Sequence, residues 1–285
     1  IYASGWRGSI FFVDDNFIGH KRKLKQALLP AIIDWMNIHH HPFFFTTEVS
    51  VDLANDHELM QLMVDAGFIK VFVGIETPEE NSLKECNKIQ NSQCDLLHSV
   101  YAMQHFGLEV TAGFIVGFDS DPPNIFQRQI DFIQRSGIIT AMVGLLNAPR
   151  LSNLYNRLKK EGRILSSFSG DNTDFSINFI PVMNKEELMR GYQRILKEIY
   201  SSRFYYRRVK QFLKRYPFHP KARQKLNLRR LTAFFKSMVY IGLLHKDQLY
   251  YWNLIFWSLF RKPRTFPMAV TYSIYGYHFR KVFRI

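Results

Sequence analysis

The sequence predicts an α/β fold, a parallel sheet wound as a partial or full β/α (TIM-like) barrel, followed by a mainly helical C-terminal extension. Three observations carry this. Short apolar runs recur at intervals of about 30 to 40 residues with amphipathic segments between them, the pattern of strand–helix–strand crossovers. The intervening helical segments close on a glycine, at Gly67, Gly107 and Gly137, the residue that most readily takes the left-handed conformation ending a helix. Apolar runs also stop abruptly at polar clusters: Asp14-Asp15-Asn16, Thr46-Thr47-Glu48, Gly74-Ile75-Glu76-Thr77 and Gly117-Phe118-Asp119-Ser120-Asp121. Carboxyl ends of parallel strands are where such folds keep their sites.

Ile10-Phe11-Phe12-Val13 is a continuous apolar run and reads as a strand buried on both faces. Ile18 to His40 is a helix of period 3.6, carrying Leu24, Leu28, Leu29, Ile32, Ile33 and Met36, with Pro30 as a kink point. His39-His40-His41 lead through Pro42 into the second strand, Phe43 to Thr47; consecutive histidines on a regular element cannot all face one ion, which disfavours a metal role. Asp52 to Ala66 is the second helix and Ile69 to Ile75 the third strand, after which Pro78, Glu79 and Glu80 open a helix. Gln93 to Phe106 is a helix, Leu108 to Phe118 the fourth strand, Ile125 to Ser136 a helix and Thr140 to Leu146 the fifth strand. Ser176 to Pro181 is expected as an edge strand ended by its proline, and Lys185 to Tyr200 as an amphipathic helix. Ile1 to Trp6 reads as the last turn of a helix capped by Gly5, so we expect the natural chain to extend upstream of Ile1.

Charge divides the chain. The net charge is +14, yet from Ser201 to Ile285 there are 19 Lys or Arg against one acid, Asp247, leaving a slight acidic excess before it. We therefore expect a barrel core over 1–200 and a basic, aromatic helical extension over 201–285. Arg203 to Tyr216 and Arg223 to Leu243 read as basic amphipathic helices and Leu249 to Phe260 as an apolar aromatic one, with Pro263, Pro267 and Gly276 breaking the remainder. Three destinations fit this tail: an anionic membrane surface, an acidic part of its own chain, or nucleic acid. No nucleic-acid motif accompanies it, which makes nucleic acid the least favoured. Cys86 and Cys94 are the only cysteines, too few for a disulfide framework. They fit a reducing, cytoplasmic setting, with the tail peripheral to the inner face of a membrane. No run of about 18 uncharged apolar residues suggests a membrane span.

Asp14, Asp15 and Asn16 are suited to an ammonium group, a divalent cation or hydroxyls, or else one of them caps the next helix. Glu76 is a candidate for two vicinal ribose hydroxyls, or else the first-turn acid of the helix that follows. Gly113 and Gly117 sit in a buried strand, where glycine is tolerated when a flat ligand or another backbone comes close. A dinucleotide glycine triplet, a phosphate loop, a nucleophile elbow and a His-Glu-x-x-His helix are all absent from the sequence.

Phe11-Phe-Val-Asp-Asp-Asn-Phe-Ile-Gly19, Thr46-Thr-Glu-Val-Ser50, Ala66-Gly-Phe68, Gly74-Ile-Glu-Thr-Pro78, Gly113-Phe-Ile-Val-Gly-Phe-Asp-Ser-Asp121 and Ala141-Met-Val-Gly-Leu-Leu146 resemble the radical S-adenosylmethionine enzymes that carry a cobalamin-binding domain. The order continues through Glu161-Gly-Arg163, Gly170-Asp-Asn172, Asn178-Phe-Ile-Pro181 and Gly191-Tyr192, and the tail resembles the helical C-terminal extension of the same subgroup. The resemblance implies a partial barrel of six strands around a [4Fe–4S] cluster and S-adenosylmethionine, a cobalamin domain, an electron-donor protein and a small-molecule or lipid substrate. It places Asp14, Asp15 and Asn16 at the methionine moiety, Glu76 at the ribose, and Gly113, Ile115 and Gly117 beside the adenine. Thr47 and Glu48 share that mouth.

The family's cluster needs a Cys-x3-Cys-x2-Cys loop, which two distant cysteines cannot supply. This chain therefore reads as strands two to six of the barrel, lacking the first strand, cluster loop and cobalamin domain. Asn147 to Asn153 also departs from the family's usual Pro-Gly-Thr-like turn near the adenine. The expected function is that of a fragment of a radical S-adenosylmethionine enzyme, cobalamin-dependent and a methyltransferase on an unactivated carbon, as of a lipid. The alternative is a degenerate barrel without a cluster, acting as a non-catalytic binding or membrane-associated module.

Overall fold

The computed structural model describes residues 1–167, 176–217 and 228–285. Five strands form one parallel sheet in sequential order: β1 (Ser9–Phe12), β2 (Phe44–Val49), β3 (Phe68–Glu76), β4 (Glu109–Val116) and β5 (Ala141–Leu145). Sequential order means that every crossover steps the same way, so right-handed connections lay their helices on one face of the sheet. Those helices are α1 (Leu29–Ile38), α2 (His57–Ala66), α3 (Glu80–Glu85), α4 (Leu96–Phe106), α5 (Ile125–Ser136), α6 (Asn153–Lys160) and α7 (Lys185–Tyr200). α1 packs on α2, α2 on α4, α4 on α5 and α5 on α7, a single layer in chain order. Between it and the sheet lies the core, with Phe45, Val71, Val73, Ile75, Val110, Ala112, Phe114 and Val143 buried.

Local chemistry sets the boundaries. Asp56 Oδ1 accepts from Leu59 N at 3.0 Å and Asp95 Oδ1 from Leu97 N and His98 N at 3.0 Å, so α2 and α4 begin later than periodicity alone suggests. Gly67 at φ 105° and Gly107 at φ 99° end them. The long first helix is interrupted by a π turn, Leu24–Leu28, immediately before Pro30, whose missing N–H cannot serve the carbonyl one turn back.

Several expectations are corrected. β1 is an edge strand rather than one buried on both faces, and Phe11 is 52% exposed. Residues 176–181 form no strand of the sheet; Phe179 makes an isolated antiparallel bridge to Ile164. Of the breakers expected after Phe260, Pro263 does break the chain, opening a 3-10 turn (Pro263–Thr265) after the preceding helix ends at Arg261, while Pro267 and Gly276 do not. Pro267 stands in the first turn of α11 (Phe266–Val282), where no N–H is needed, and Gly276 lies mid-helix because a Cβ there would meet the Tyr205 ring at 2.4 Å. Gly170 to Asn172 lie outside the described residues.

The rest of the extension is α8 (Ser202–Arg215), α9 (Leu228–Tyr240) and α10 (Gln248–Arg261). α8, Tyr216 just after it, and α11 cover the entrances of β4 and β5. Tyr216 Oη donates to Gly107 O at 2.7 Å, and Tyr200 Oη to Ala141 O at 2.8 Å, both at strand entrances. Burial pushes the Tyr200 hydroxyl up to about 12, which keeps it a donor at neutral pH. Fully buried Arg208 donates to Ile199 O at 2.8 Å, Gln134 Oε1 at 3.1 Å and Ile139 O at 3.3 Å. Arg280, also buried, pairs with Asp247 and reaches Tyr200 O at 3.4 Å. Two of the tail's basic residues are thus interior, and docking on its own chain is what α8 and α11 do.

We predict that Tyr216→Phe, which orphans the Gly107 carbonyl, destabilises by about 1 to 2 kcal/mol. Arg208→Met, which orphans acceptors at three places, should destabilise by on the order of 3 kcal/mol. Urea denaturation followed by circular dichroism measures both.

Candidate functional site

Paired residues of parallel strands share a face, and successive residues alternate faces. One face is sealed by the helices. The other carries Phe11 beside Thr46, Phe72 beside Thr111, Gly74 beside Gly113, Gly113 beside Met142 and Ile115 beside Gly144. Met142 is 59% exposed there. Gly74, Gly113 and Gly144 remove side chains from its centre. A Cβ on Gly74 would meet Glu76 Oε1 at 2.6 Å and one on Gly113 the Phe72 ring at 3.1 Å, whereas at Gly144 nothing lies within 4 Å. The floor is glycine-lined beneath Glu76 and open above Gly144.

The end of β3 is unusual. Pairing with β4 slips by one residue between Gly74 and Glu76, and Glu76 takes φ 64°, a left-handed conformation costing a non-glycine residue about 1 to 3 kcal/mol. Buried Asn91 holds this bulge, its Nδ2 donating to Gly74 O at 2.9 Å and Ile75 O at 3.1 Å. Lys88 Nζ lies 3.1 Å from Glu76 Oε1 and is the carboxylate's counter-charge.

Beyond β4 the chain turns at Gly117, φ 107°. Asp121 Oδ2 accepts from Gly117 N at 2.8 Å and Phe118 N at 3.1 Å, and its Oδ1 from Ser82 Oγ at 2.7 Å. Burial raises this carboxyl above its ordinary value. Asp119 has the opposite environment. Arg163 grips both of its oxygens, at 2.6 and 2.9 Å, and Arg157 adds a contact at 2.7 Å. These guanidiniums, Arg163 foremost, hold the Asp119 carboxyl below the usual range despite burial. Arg157 also reaches Glu85 Oε1 at 3.0 Å, and Glu85 accepts from Ser120 N at 2.9 Å, so the ion network ties α3, α6 and the segment after α6 to the β4 end.

The sequence-predicted residues fall into three groups. Glu48, Glu76, Gly113 and Ile115 lie on or at the end of the open face. Asp14 and Asp15 are exposed in the loop after β1, with no side-chain partner among the described residues. Asn16 caps no helix; its Oδ1 accepts from Ser50 N at 3.1 Å and fastens the β1 loop to the β2 end. Thr47 is on the helix-covered side, buried, its Oγ1 donating to Phe12 O at 3.1 Å, and so is turned away from the mouth. Gly117 makes the turn rather than the floor. Sequence reasoning missed Lys88, Asn91, Glu85 and Arg157; Asp119, Glu161, Arg163 and Gly144 stood in quoted motifs without being assigned these roles.

Cys86 and Cys94 are free, each donating to a backbone carbonyl one turn back, Leu83 O at 3.4 Å and Asn91 O at 3.6 Å. Burial raises both thiols, so neither is a ready thiolate. No group of three or more metal-ligating side chains occurs among the described residues. His39 stacks on Trp35, at 4.1 Å between ring centroids, rather than pointing with His40 and His41 at a common centre. A cleft of about 520 Å³ bounded by Leu83, Asn91, Leu97 and Arg128 lies on the helical side and is separate from the open face.

Fold and site together define a parallel α/β protein whose carboxylates and glycine floor sit at one end of the strands, the entrances of β4 and β5 being covered by the extension. Residues 152–285 match the model of DUF4070, a domain of unknown function. The chain is 37% identical over 284 residues, 98% of its length and 52% of the relative's, to a protein of Synechocystis named an uncharacterized methyltransferase. It is 31% identical over 265 residues, 90% of its length and 49% of the relative's, to the hopanoid C-2 methylase of Rhodopseudomonas palustris. The chain spans about half the length of these curated relatives.

The Asp119 network carries a pH signature. A carboxyl depressed in the folded state contributes stability that is complete above the ordinary carboxylate range and is lost as pH falls through its folded value. Asp121, raised by burial, works in the opposite sense. We predict that Arg163→Met lowers stability at neutral pH by about 1 to 3 kcal/mol and that this deficit shrinks below about pH 4. Urea melts from pH 7 down to pH 3 check it.

Proposed function

We propose that this chain is the barrel core and C-terminal extension of a radical S-adenosylmethionine, cobalamin-dependent methylase that acts on an unactivated carbon of a lipid. The observation that carries the reading is the end of β3: a bulge and a left-handed Glu76 set above Gly74 and Gly113. Strain of this kind persists where the surroundings over-determine it, and here Asn91 and Lys88 do so. A carboxylate so fixed suits two vicinal hydroxyls of a ribose, and a strand without side chains suits a flat base. The similarity to proteins named methyltransferase and methylase supports the reaction class.

In this assignment Glu76 accepts from the ribose hydroxyls while Lys88, 3.1 Å from its Oε1, holds the carboxylate in place. Gly113 and Ile115 lie beside the adenine, with Gly117 turning the chain past it. Asp14, Asp15 and Glu48 are exposed to the ammonium end, and Asn16 braces their loop against Ser50. S-adenosylmethionine held here would supply either a methyl group or, on reductive cleavage with an electron from the cluster, a 5′-deoxyadenosyl radical, one molecule serving one of these two roles. Phe11, Phe72, Ile115 and Met142 make the open face apolar, which suits a hydrocarbon substrate and keeps water from its reacting carbon. Cys86 and Cys94, half-buried and bonded to carbonyls, do not fit a cluster, so on this reading its thiolates lie outside these 285 residues. No step is assigned to them.

Binding of S-adenosylmethionine to the full-length protein, measured by calorimetry, tests this. Glu76→Gln should weaken it by about tenfold or more, since a charge-assisted acceptor is lost. Gly144→Leu should leave the melting temperature unchanged, because its side chain enters open space, yet obstruct occupation of the face. Affinity within twofold of the wild type for both variants would overturn the assignment. Binding without iron in the full-length protein would turn it toward the non-catalytic module.

A further inference from the structure

The helix pair α9 and α10 has one face accounted for and one not. Tyr251, Leu254, Ile255 and Ser258 of α10 are buried, and α10 packs on α8 and α11. Ser237 Oγ and Tyr251 Oη at 2.9 Å, and Trp252 Nε1 donating to Gly242 O at 2.9 Å, join α9 to α10 as a hairpin. The outward side is apolar. Leu244 is 72% exposed and Leu249 84% at the turn, and Phe260 is 77% exposed at the far end of α10. Between them the rings of Trp252, Phe256 and Phe260 stack at centroid distances of 5.4 and 6.4 Å, a continuous aromatic stripe along one helix.

Charge identifies what covers it. Lys236, Lys246 and Arg261 are exposed around this side, and Lys210 lies 5.2 Å from the Trp257 ring. The one acid between Ser201 and Ile285, Asp247, is buried against Arg280 and offers nothing outward. A protein partner of mixed charge would meet no carboxylate on this hairpin. An apolar stripe in a purely cationic surround is complementary to hydrocarbon beneath anionic headgroups. No described helix is long and apolar enough to cross a membrane, so contact is in the plane of the surface.

We propose that the α9–α10 hairpin is the face by which the protein lies on an anionic lipid bilayer, with Leu244, Leu249, Phe256 and Phe260 inserted and Lys236, Lys246 and Arg261 at the headgroups. The inference rests on this surface and not on methylase activity, since vesicle binding needs neither cofactor nor turnover.

The test is co-sedimentation of the full-length protein with phosphatidylcholine vesicles with and without phosphatidylglycerol. Wild type is expected to bind the anionic vesicles and to be partly released by salt. A Leu244→Ser, Leu249→Ser, Phe256→Ser variant should lose about tenfold or more of that binding at unchanged melting temperature. A Lys236→Gln, Lys246→Gln, Arg261→Gln variant, whose substitutions lie wholly on the surface, should lose its preference for anionic over neutral vesicles. Wild type that binds neither vesicle, or a serine variant that binds as wild type does, overturns the proposal. So does a concentration-dependent dimer that the serine variant abolishes, which would make a second copy the occupant.

Discussion

The lower half of the molecule depends on what happens at the carboxyl end of α7. Its last carbonyls, at the negative pole of a long helix, are met by two buried guanidiniums, Arg208 on Ile199 O and Arg280 on Tyr200 O. Burying two such cations is expensive, and the solutions differ, with the Nε of each left without a hydrogen-bond partner among the described residues. Arg208 has only dipoles, two backbone carbonyls and the Gln134 amide, with the Tyr200 and Tyr205 rings alongside at 6.0 and 5.5 Å. Arg280 has the tail's single carboxylate. Because the acceptors belong to α5, α7 and the β5 entrance, one pair of side chains registers the extension against the sheet.

That constraint explains where the functional half ends up. At the entrances of β4 and β5, Tyr216, Tyr200 and Arg208 take up backbone carbonyls. At the opposite end polar groups remain available: Glu76 at a bulge, Glu48 on the open face, Asp14 and Asp15 in a loop. The Asp119 network behaves differently. Its carboxylates are saturated by arginines and backbone N–H groups, which makes it a fastening between β4 and α6 and leaves Glu76 and its neighbours as the chemistry.

The alternation of strands and helices was legible in the sequence because each strand has one sealed face and each helix one apolar stripe. The glycines at 67, 107 and 137 marked helix ends for a steric reason that holds everywhere. β1 misled because a run of four apolar residues does not say whether a sheet continues beyond it. Pro267 and Gly276 misled because a breaker's effect depends on position: a first-turn proline loses nothing, and the glycine answers a ring from another helix. At the site, strand-end carboxylates could be read, but Thr47 could not be separated from Glu48 without knowing which parity faced the helices. Lys88 and Asn91 gave no signal because their roles exist only across elements, and Gly144 was quoted in a motif without a role for the same reason. The tail's charge was visible, while its division into interior and surface cations was not.

The sealed floor also sets an order of events in chain synthesis. The carbonyls of Gly107 and Ile139 and the head of β4 leave the ribosome well before Tyr216, Arg208 and Tyr272, the residues that complete them. Until α8 and α11 arrive, a nascent parallel sheet stands with its lower rim wet and its entrance apolar residues uncovered, a state that invites wrong pairing. The sheet and its floor therefore mature together, and a chaperone's protection would matter most in the interval between emergence of β5 and docking of α11.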